Sequence, residues 1–207
     1  MQPPTPTRPR STLLAILLLW AALYASFALF TPPLLDDADS VHAEAAREML
    51  LRHDVVTLHA NGIRYLEKAP LFYWAMAASM RGAQLAGRTG PRSLAAAARI
   101  PLALAVLALV LVVESLARRI LHDPRAGLYA ALISLSSFGI FLFTRMLIPD
   151  ALVCLWTALA IDAVSYTHLD VYKRQILSGA KNLLLHPPAD SATAGECKGS
   201  FGKIASG

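Results

Sequence analysis

Cysteine is nearly absent and carries no pattern: Cys154 sits inside an apolar run and Cys197 in the tail. Two isolated thiols exclude a disulfide framework and a cysteine zinc site, and they set no redox compartment. The six histidines include no His-Glu-x-x-His, which removes the helical zinc-protease pattern. Charge is scarce as well. Only 16% of the 207 residues are Asp, Glu, Lys or Arg, against 56% hydrophobic. That balance is too apolar for an ordinary soluble domain and fits a membrane protein. The net charge of +5 is spread between apolar runs rather than gathered in one block, so no nucleic-acid partner is expected. Arginines at bilayer edges, facing anionic lipid, account for it.

What the chain does have is a succession of apolar runs. Ser11 to Phe30 carries no charge. At about 1.5 Å per residue, roughly 20 residues cross a hydrocarbon core of about 30 Å. A cleaved signal peptide is the competing reading. The run is longer than a usual signal core of about 7–15 residues, and Phe30-Thr31-Pro32-Pro33 closes it without a small-x-small site. Residues 1–10, with four prolines plus Arg8 and Arg10, are expected to be a disordered basic tail. Further spans are expected at about 94–113, 126–144 and 151–164, the last cut short by Asp162. Arg99 and Pro101 fall near the start of the second span, where snorkelling and a first-turn proline are tolerated. Arg118, Arg119 and Arg125, with Pro124, form a short linker, and Arg145–Asp150 is a tight polar connection. The positive-inside rule puts Arg8, Arg10, Arg118, Arg119 and Arg125 on the cytoplasmic side. The N-terminus is then cytoplasmic, and the loop of residues 31–93 lies outside.

That outer loop holds the chemistry. Ser40 to Leu51 has helical periodicity, with Val41, Ala45 and Met49 on one face and Glu44, Arg47, Glu48 and Arg52 facing water. Asp39 or Ser40 is the expected N-cap. Asn61-Gly62 signals a turn. Leu71 to Met80 is apolar but too short to cross, so it reads as an interfacial helix with Tyr73 and Trp74 at headgroup depth. Gly82 to Pro91 is a glycine-containing connection. Near Val164 the character changes. Ser165-Tyr166-Thr167-His168-Leu169-Asp170-Val171-Tyr172-Lys173-Arg174-Gln175 interrupts an unfinished span and resembles an adapter read-through. Residues 165–207 lack apolar periodicity and are expected to be foreign to the rest. A natural cytoplasmic segment is the alternative.

Asp36, Asp37 and Asp39 crowd just outside the first span. Like charges this close raise one another's pKa unless a cation compensates. Such a cluster suits a general base or a divalent metal, or else a solvated loop with a helix cap. Glu67 and Lys68 stand beside a proline and an aromatic pair. A lysine there can meet a phosphate as a point charge, or anchor the loop by snorkelling. Arg145 at a membrane edge can pair with phosphate, and Asp150 can orient an acceptor or cap the next helix. His42, His53 and His59 read as polar-loop residues.

The run from Leu13 to about Ile161 resembles the front part of bacterial GT-C membrane glycosyltransferases of glycosyltransferase family 39. That group includes the protein O-mannosyltransferases and the aminoarabinose transferases that modify lipid A. Three stretches carry the resemblance. They are the acidic motif followed by Ala43-Glu44-Ala45-Ala46-Arg47-Glu48-Met49-Leu50, the run from Asn61 through Tyr65-Leu66-Glu67-Lys68-Ala69-Pro70 to Trp74, and Arg145-Met146-Leu147-Ile148-Pro149-Asp150. The resemblance implies an all-α polytopic protein of the bacterial cytoplasmic (inner) membrane with GT-C-type transmembrane helices. Its extracytoplasmic loop would bear juxtamembrane helices. Members are far longer, so the expectation is an N-terminal fragment, incomplete and inactive alone.

The implied activity is transfer of a sugar from a polyprenyl-phosphate donor to a lipid, glycan or protein acceptor at the outer face. Asp37 or Asp39 would be the catalytic acid residue, acting as base. Glu67, Lys68 and Arg145 would lie at the donor phosphate, with Asp36, Glu44, Tyr65 and Asp150 in support. No cofactor is implied with certainty, and a divalent metal stays open. Relatives often read Asp-Glu-x-x-Tyr-Ala-Glu and Lys-Pro-Pro. Here His42 stands for the tyrosine, Asp39 for the glutamate and Ala38 for the leading aspartate, and Lys68-Ala69-Pro70 relaxes the second motif. A non-catalytic accessory subunit or transporter-like protein is the rival reading. Clean spans with charge in the outer loop favour surface chemistry over a mid-membrane transport site.

Overall fold

The computed structural model describes residues 7–30, 34, 37–165 and 178, with residues 37 and 38 described by backbone alone. The chain divides into two compact units, Met1–Asp162 and Ala163–Gly207. In the second, residues 163–165 and Ser178 are helical; the rest of the expected foreign tail lies outside the described residues.

The described residues of the first unit are helical apart from one small hairpin and the connecting turns. Helix α1 runs Arg10–Phe30, α2 Asp37–Arg52, α3 Leu71–Leu85, α4 Pro91–Ile120, α5 Pro124–Ser136 and α6 Phe138–Phe143. A final helix, α7, occupies residues 150–162 of this unit. Strands β1 His59–Ala60 and β2 Ile63–Arg64 pair antiparallel, His59 opposite Arg64 and Ala60 opposite Ile63. The two residues between them, Asn61 and Gly62, have φ of 53° and 80°. Positive φ at both positions is what a tight hairpin turn with the right twist demands, and Asn-Gly tolerates it.

Among the described residues, two helices are long and apolar enough to cross a bilayer, α1 and α4. Helix α4 buries a stripe at Ala95, Ala98, Leu102, Ala105, Val106, Leu109 and Val110, the three-and-four spacing of one helical face. Against it pack α1, α3 and α5. Helix α1 is interrupted by a π-helical turn at Ala21–Ala25. Trp20 Nε1 donates to the Ala103 carbonyl at 2.8 Å, and the Tyr24 hydroxyl donates to the Leu135 carbonyl at 2.9 Å.

That second bond marks a correction. The third apolar run does not continue to Thr144 as one helix. Ser137 is extended, φ −62° and ψ 124°, and separates α5 from α6. Ser134 and Ser136 return their hydroxyls to the carbonyls four residues back, each at 2.8 Å, the back-bonding that bends helices. The break frees the last carbonyls of α5, and Tyr24 takes the one at Leu135.

Other expectations shift too. Helix α4 starts at Pro91, so Pro101 lies inside it rather than in its first turn. Arg99 is 6% exposed and packs inward instead of snorkelling. The basic tail is held at Arg8, which pairs with the fully buried Glu114, itself bonded to Arg118. This places Arg8 and Arg118 at one end of the bundle. Arg119 pairs with Asp162 there, so the charge that interrupts the fourth apolar run has a partner. Gly127 permits the close crossing of α5 over α4. A Cβ there would stand 3.0 Å from the Glu114 carbonyl oxygen and from Arg118 Cβ.

Candidate functional site

At the opposite end of α4, residues 37–85 fold into a cap of α2, the hairpin and α3. Small residues on α2 (Ala43, Ala45, Ala46) with Met49 meet large ones on α3 (Phe72, Tyr73, Met76, Met80), and all are buried. The α3 stripe at i, i+1, i+4 and i+8 is one helical face, so α3 is a core helix of this cap. Tyr73 is wholly buried within it. Trp74 remains 44% exposed and donates to the Val55 carbonyl at 2.6 Å.

Two further expectations about α2 are overturned. It begins at Asp37, so Asp39 and Ser40 lie within its first turn and are not its N-cap. Glu48 does not face water. It is buried, accepts from the Gly62 N–H at 2.9 Å and from Arg52 Nε at 2.8 Å, and so ties the hairpin to α2. The Gly62 bond, followed by Arg52 against an opposing burial cost, holds its carboxyl below the usual range.

Asp39 is 6% exposed, and its Oδ1 accepts from the Leu147 N–H at 2.6 Å. The bond joins α2 to the turn of residues 144–149, which lie more than a hundred positions away in sequence. Two residues before Leu147, the Arg145 guanidinium stacks on the rings of Phe141 and Phe27, 4.0 and 4.3 Å from their centroids. Arg99 approaches the same Phe27 ring at 5.6 Å. Two cations thus meet one aromatic ring, and the Asp39 carboxylate lies within electrostatic reach of Arg99. Stacking engages the face of a guanidinium and leaves its N–H edge as the anion-binding side.

A second cluster lies one turn further along α2. His42 is 4% exposed, and its Nδ1 stands 2.7 Å from the Tyr73 hydroxyl. Tyr65 packs edge-on against both, ring centroids 6.0 Å from His42 and 6.3 Å from Tyr73. Burial, then the Lys68 charge, push the His42 pKa down, opposed by Asp39 and Glu67. Burial, with Tyr65 and Glu67 beside it, pushes the Tyr73 hydroxyl up. His42 is therefore neutral and Tyr73 protonated at neutral pH. The same couplings bring Asp39, Glu67 and Lys68 into electrostatic reach of one imidazole.

The residues singled out from sequence are therefore distributed as follows. Asp39, Tyr65, Glu67 and Lys68 gather around His42, with Glu67 and Lys68 exposed. Arg145 joins Asp39 through the Leu147 bond. Glu44 is occupied in a two-pronged pair with Arg47, 2.7 Å on each prong, at the rim of a groove of about 430 Å³. Asp150 is exposed and opens α7. Asp37 opens α2, its side chain lies outside the description, and Asp36 falls outside the described residues. Among the described residues no three His, Cys, Asp or Glu come together to hold a metal.

Sequence reasoning missed Phe27, Arg99, His42 and Tyr73. His42 could have been found. It lies three and seven residues before Ala45 and Met49, on the face already assigned to the core. Arg99 and Phe27 had no signal, because their meeting depends on how α1 crosses α4.

The chain is similar to several curated proteins. It is 34% identical over 119 residues to the undecaprenyl phosphate-alpha-4-amino-4-deoxy-L-arabinose arabinosyl transferase of Edwardsiella ictaluri, covering 58% of this chain and 20% of that protein. A protein of the same name from Pseudomonas paraeruginosa is 33% identical over 129 residues, 22% of its length. A third, from Pseudomonas fluorescens, is 30% identical over 156 residues, 74% of this chain and 27% of that protein. The chain thus spans about a quarter or less of the curated relatives it matches. No family model and no solved structure matches.

Proposed function

We propose that this chain carries the first outer loop of a GT-C membrane glycosyltransferase of family 39, and that it serves transfer of a sugar from a polyprenyl-phosphate donor to an acceptor outside the cytoplasmic membrane. The observation that carries the reading is the junction of the loop acid Asp39 with the Arg145 turn, beside Lys68 and Glu67. It places carboxylate and cationic groups together at one end of two bilayer-length helices. The relatives' names support a lipid-linked aminopentose as the first donor to try. The acceptor is a lipid, glycan or protein hydroxyl or amine.

In the reaction, the acceptor oxygen or nitrogen bonds to the anomeric carbon. The bond from that carbon to the phosphate oxygen breaks, and its electron pair leaves on the phosphate. A carboxylate of Asp37 or Asp39 takes the acceptor proton. Lys68 and Arg145 stabilise the departing phosphate, Lys as a point charge and Arg through its planar N–H edge. Cationic groups fixed before the reaction starts contribute most where water is excluded.

The test is transfer from a synthetic undecaprenyl-phosphate aminoarabinose by the complete gene product in nanodiscs. The expected result is transfer by the wild type and loss of at least about a hundredfold in Lys68→Ala and Asp37→Asn. Unchanged transfer in both Asp37→Asn and Asp39→Asn would remove the loop acids from the mechanism.

A further inference from the structure

We propose that the two loop acids divide the work: Asp39 is a positioning residue that holds the Arg145 turn, and Asp37 is the base. The division rests on the glycosyltransfer reading; the positioning contact itself does not. Asp39 is nearly enclosed, and its Oδ1 is engaged by a main-chain N–H at 2.6 Å. That oxygen is already occupied by the main-chain donor. It also lacks the room that a base needs, since the proton it takes must come within about 2.6–3.2 Å.

The bond has another consequence. Leu147 is 1% exposed, with its side chain in the core. The turn of residues 144–149 is therefore fixed from two sides, by the Leu147 side chain in the core and by its N–H on Asp39. Arg145 sits two residues upstream, between Phe27 and Phe141. Release of the Leu147 N–H lets the turn shift along α1 and moves the guanidinium off its rings. An offset of about 1 Å in such a group is enough to cost on the order of a hundredfold in rate. Asp39 thus acts on the donor end of the reaction through Arg145.

Asn and Ala separate the two roles. Asn keeps an oxygen that can accept from the Leu147 N–H but is no base; Ala keeps neither. Hydrogen–deuterium exchange of the complete chain in nanodiscs reads the contact directly in the peptide containing Leu147. Asp39→Asn is expected to retain protection there within about threefold, and Asp39→Ala to lose about tenfold or more. Exchange at the Glu114 end of α4 should not move in either. In transfer assays of the complete gene product, Asp39→Asn is expected to lose no more than about tenfold, and Asp39→Ala about a hundredfold in kcat/KM. Asp37→Asn should abolish kcat with protection at Leu147 intact.

Unchanged exchange at Leu147 in Asp39→Ala would overturn the contact. Asp39→Asn as inactive as Asp37→Asn, with protection retained, would make Asp39 the base and overturn the division. A wild type that transfers no sugar defeats the glycosyltransfer reading instead, and the exchange result still decides the positioning contact.

Discussion

Tyr73→Phe is the sharpest perturbation of the cap. The substitution removes one oxygen and keeps the ring, so the contacts of Tyr73 with Tyr65 at 6.3 Å and with Phe72 at 6.0 Å persist and no sizeable cavity opens. What is lost is the hydrogen bond at 2.7 Å to His42 Nδ1, between residues 0% and 4% exposed. A buried imidazole nitrogen left without a partner costs about 1–3 kcal/mol, more than the net value of an average hydrogen bond. For a chain of this size each kcal/mol moves the melting temperature by about 2–4 °C, so a fall of about 2–12 °C is expected. The assay is thermal unfolding in nanodiscs, followed by near-UV circular dichroism, which reports aromatic packing. A double-mutant cycle with His42→Leu isolates the pair. Removing both partners should cost less than the sum of the single losses, with a coupling of about 0.5–3 kcal/mol. Additivity to within about 0.3 kcal/mol would refute the bond as the reason these residues are together.

The same pair gives stability a pH dependence with a defined sign. The His42 pKa is lower in the folded state than its ordinary 6.5. Its contribution is therefore complete above about 6.5 and is lost as pH falls below that toward the depressed folded value, because the unfolded chain binds the extra proton. Melting temperature measured across this window should fall with acidification, and His42→Leu should flatten the fall. At the other end of the bundle, Gly127→Val places atoms where even a Cβ would lie 3.0 Å from the Glu114 carbonyl oxygen, so a loss of about 1–3 kcal/mol is expected. Gly82→Ala, with nothing within 4 Å of the added carbon, should gain up to about 1 kcal/mol from helix propensity in the same thermal assay.

How much of this was legible in the chain depends on the range of the interaction. The charge-free run before Phe30 and the long apolar run around Val106 announced the two bilayer-length helices, since composition alone decides them. Asn61-Gly62 announced its turn for the same local reason. The loop helix was expected over Ser40 to Leu51 and runs Asp37–Arg52. Its polar face was misjudged at Glu48 because the Gly62 N–H arrives from fourteen residues downstream. The third span was expected whole. Its serines were the only warning, and the Tyr24 hydroxyl that donates to the freed Leu135 carbonyl sits on another helix. Arg99 was read as snorkelling because its charge is local information, whereas the Phe27 ring that receives it belongs to α1.

The two ends of the bundle treat arginine differently, and the difference bears on the proposed chemistry. At the Glu114 end, Arg8 and Arg118 meet one buried carboxylate and Arg119 meets Asp162. Those charges are paired within the chain, and a buried pair broken on one side is costly, so this end is built to hold helices in register. At the Phe27 end, Arg145 is held by two aromatic rings, and among the described residues no carboxylate pairs with it. Aromatic stacking fixes a guanidinium in place without neutralising it. A fixed cation without an ion-pair partner binds an incoming anion without having to exchange a partner first. That arrangement has little to offer as scaffolding, since two phenylalanines would pack as well with an apolar residue between them. It makes physical sense if an anion arrives there, as the departing phosphate of the proposed transfer would.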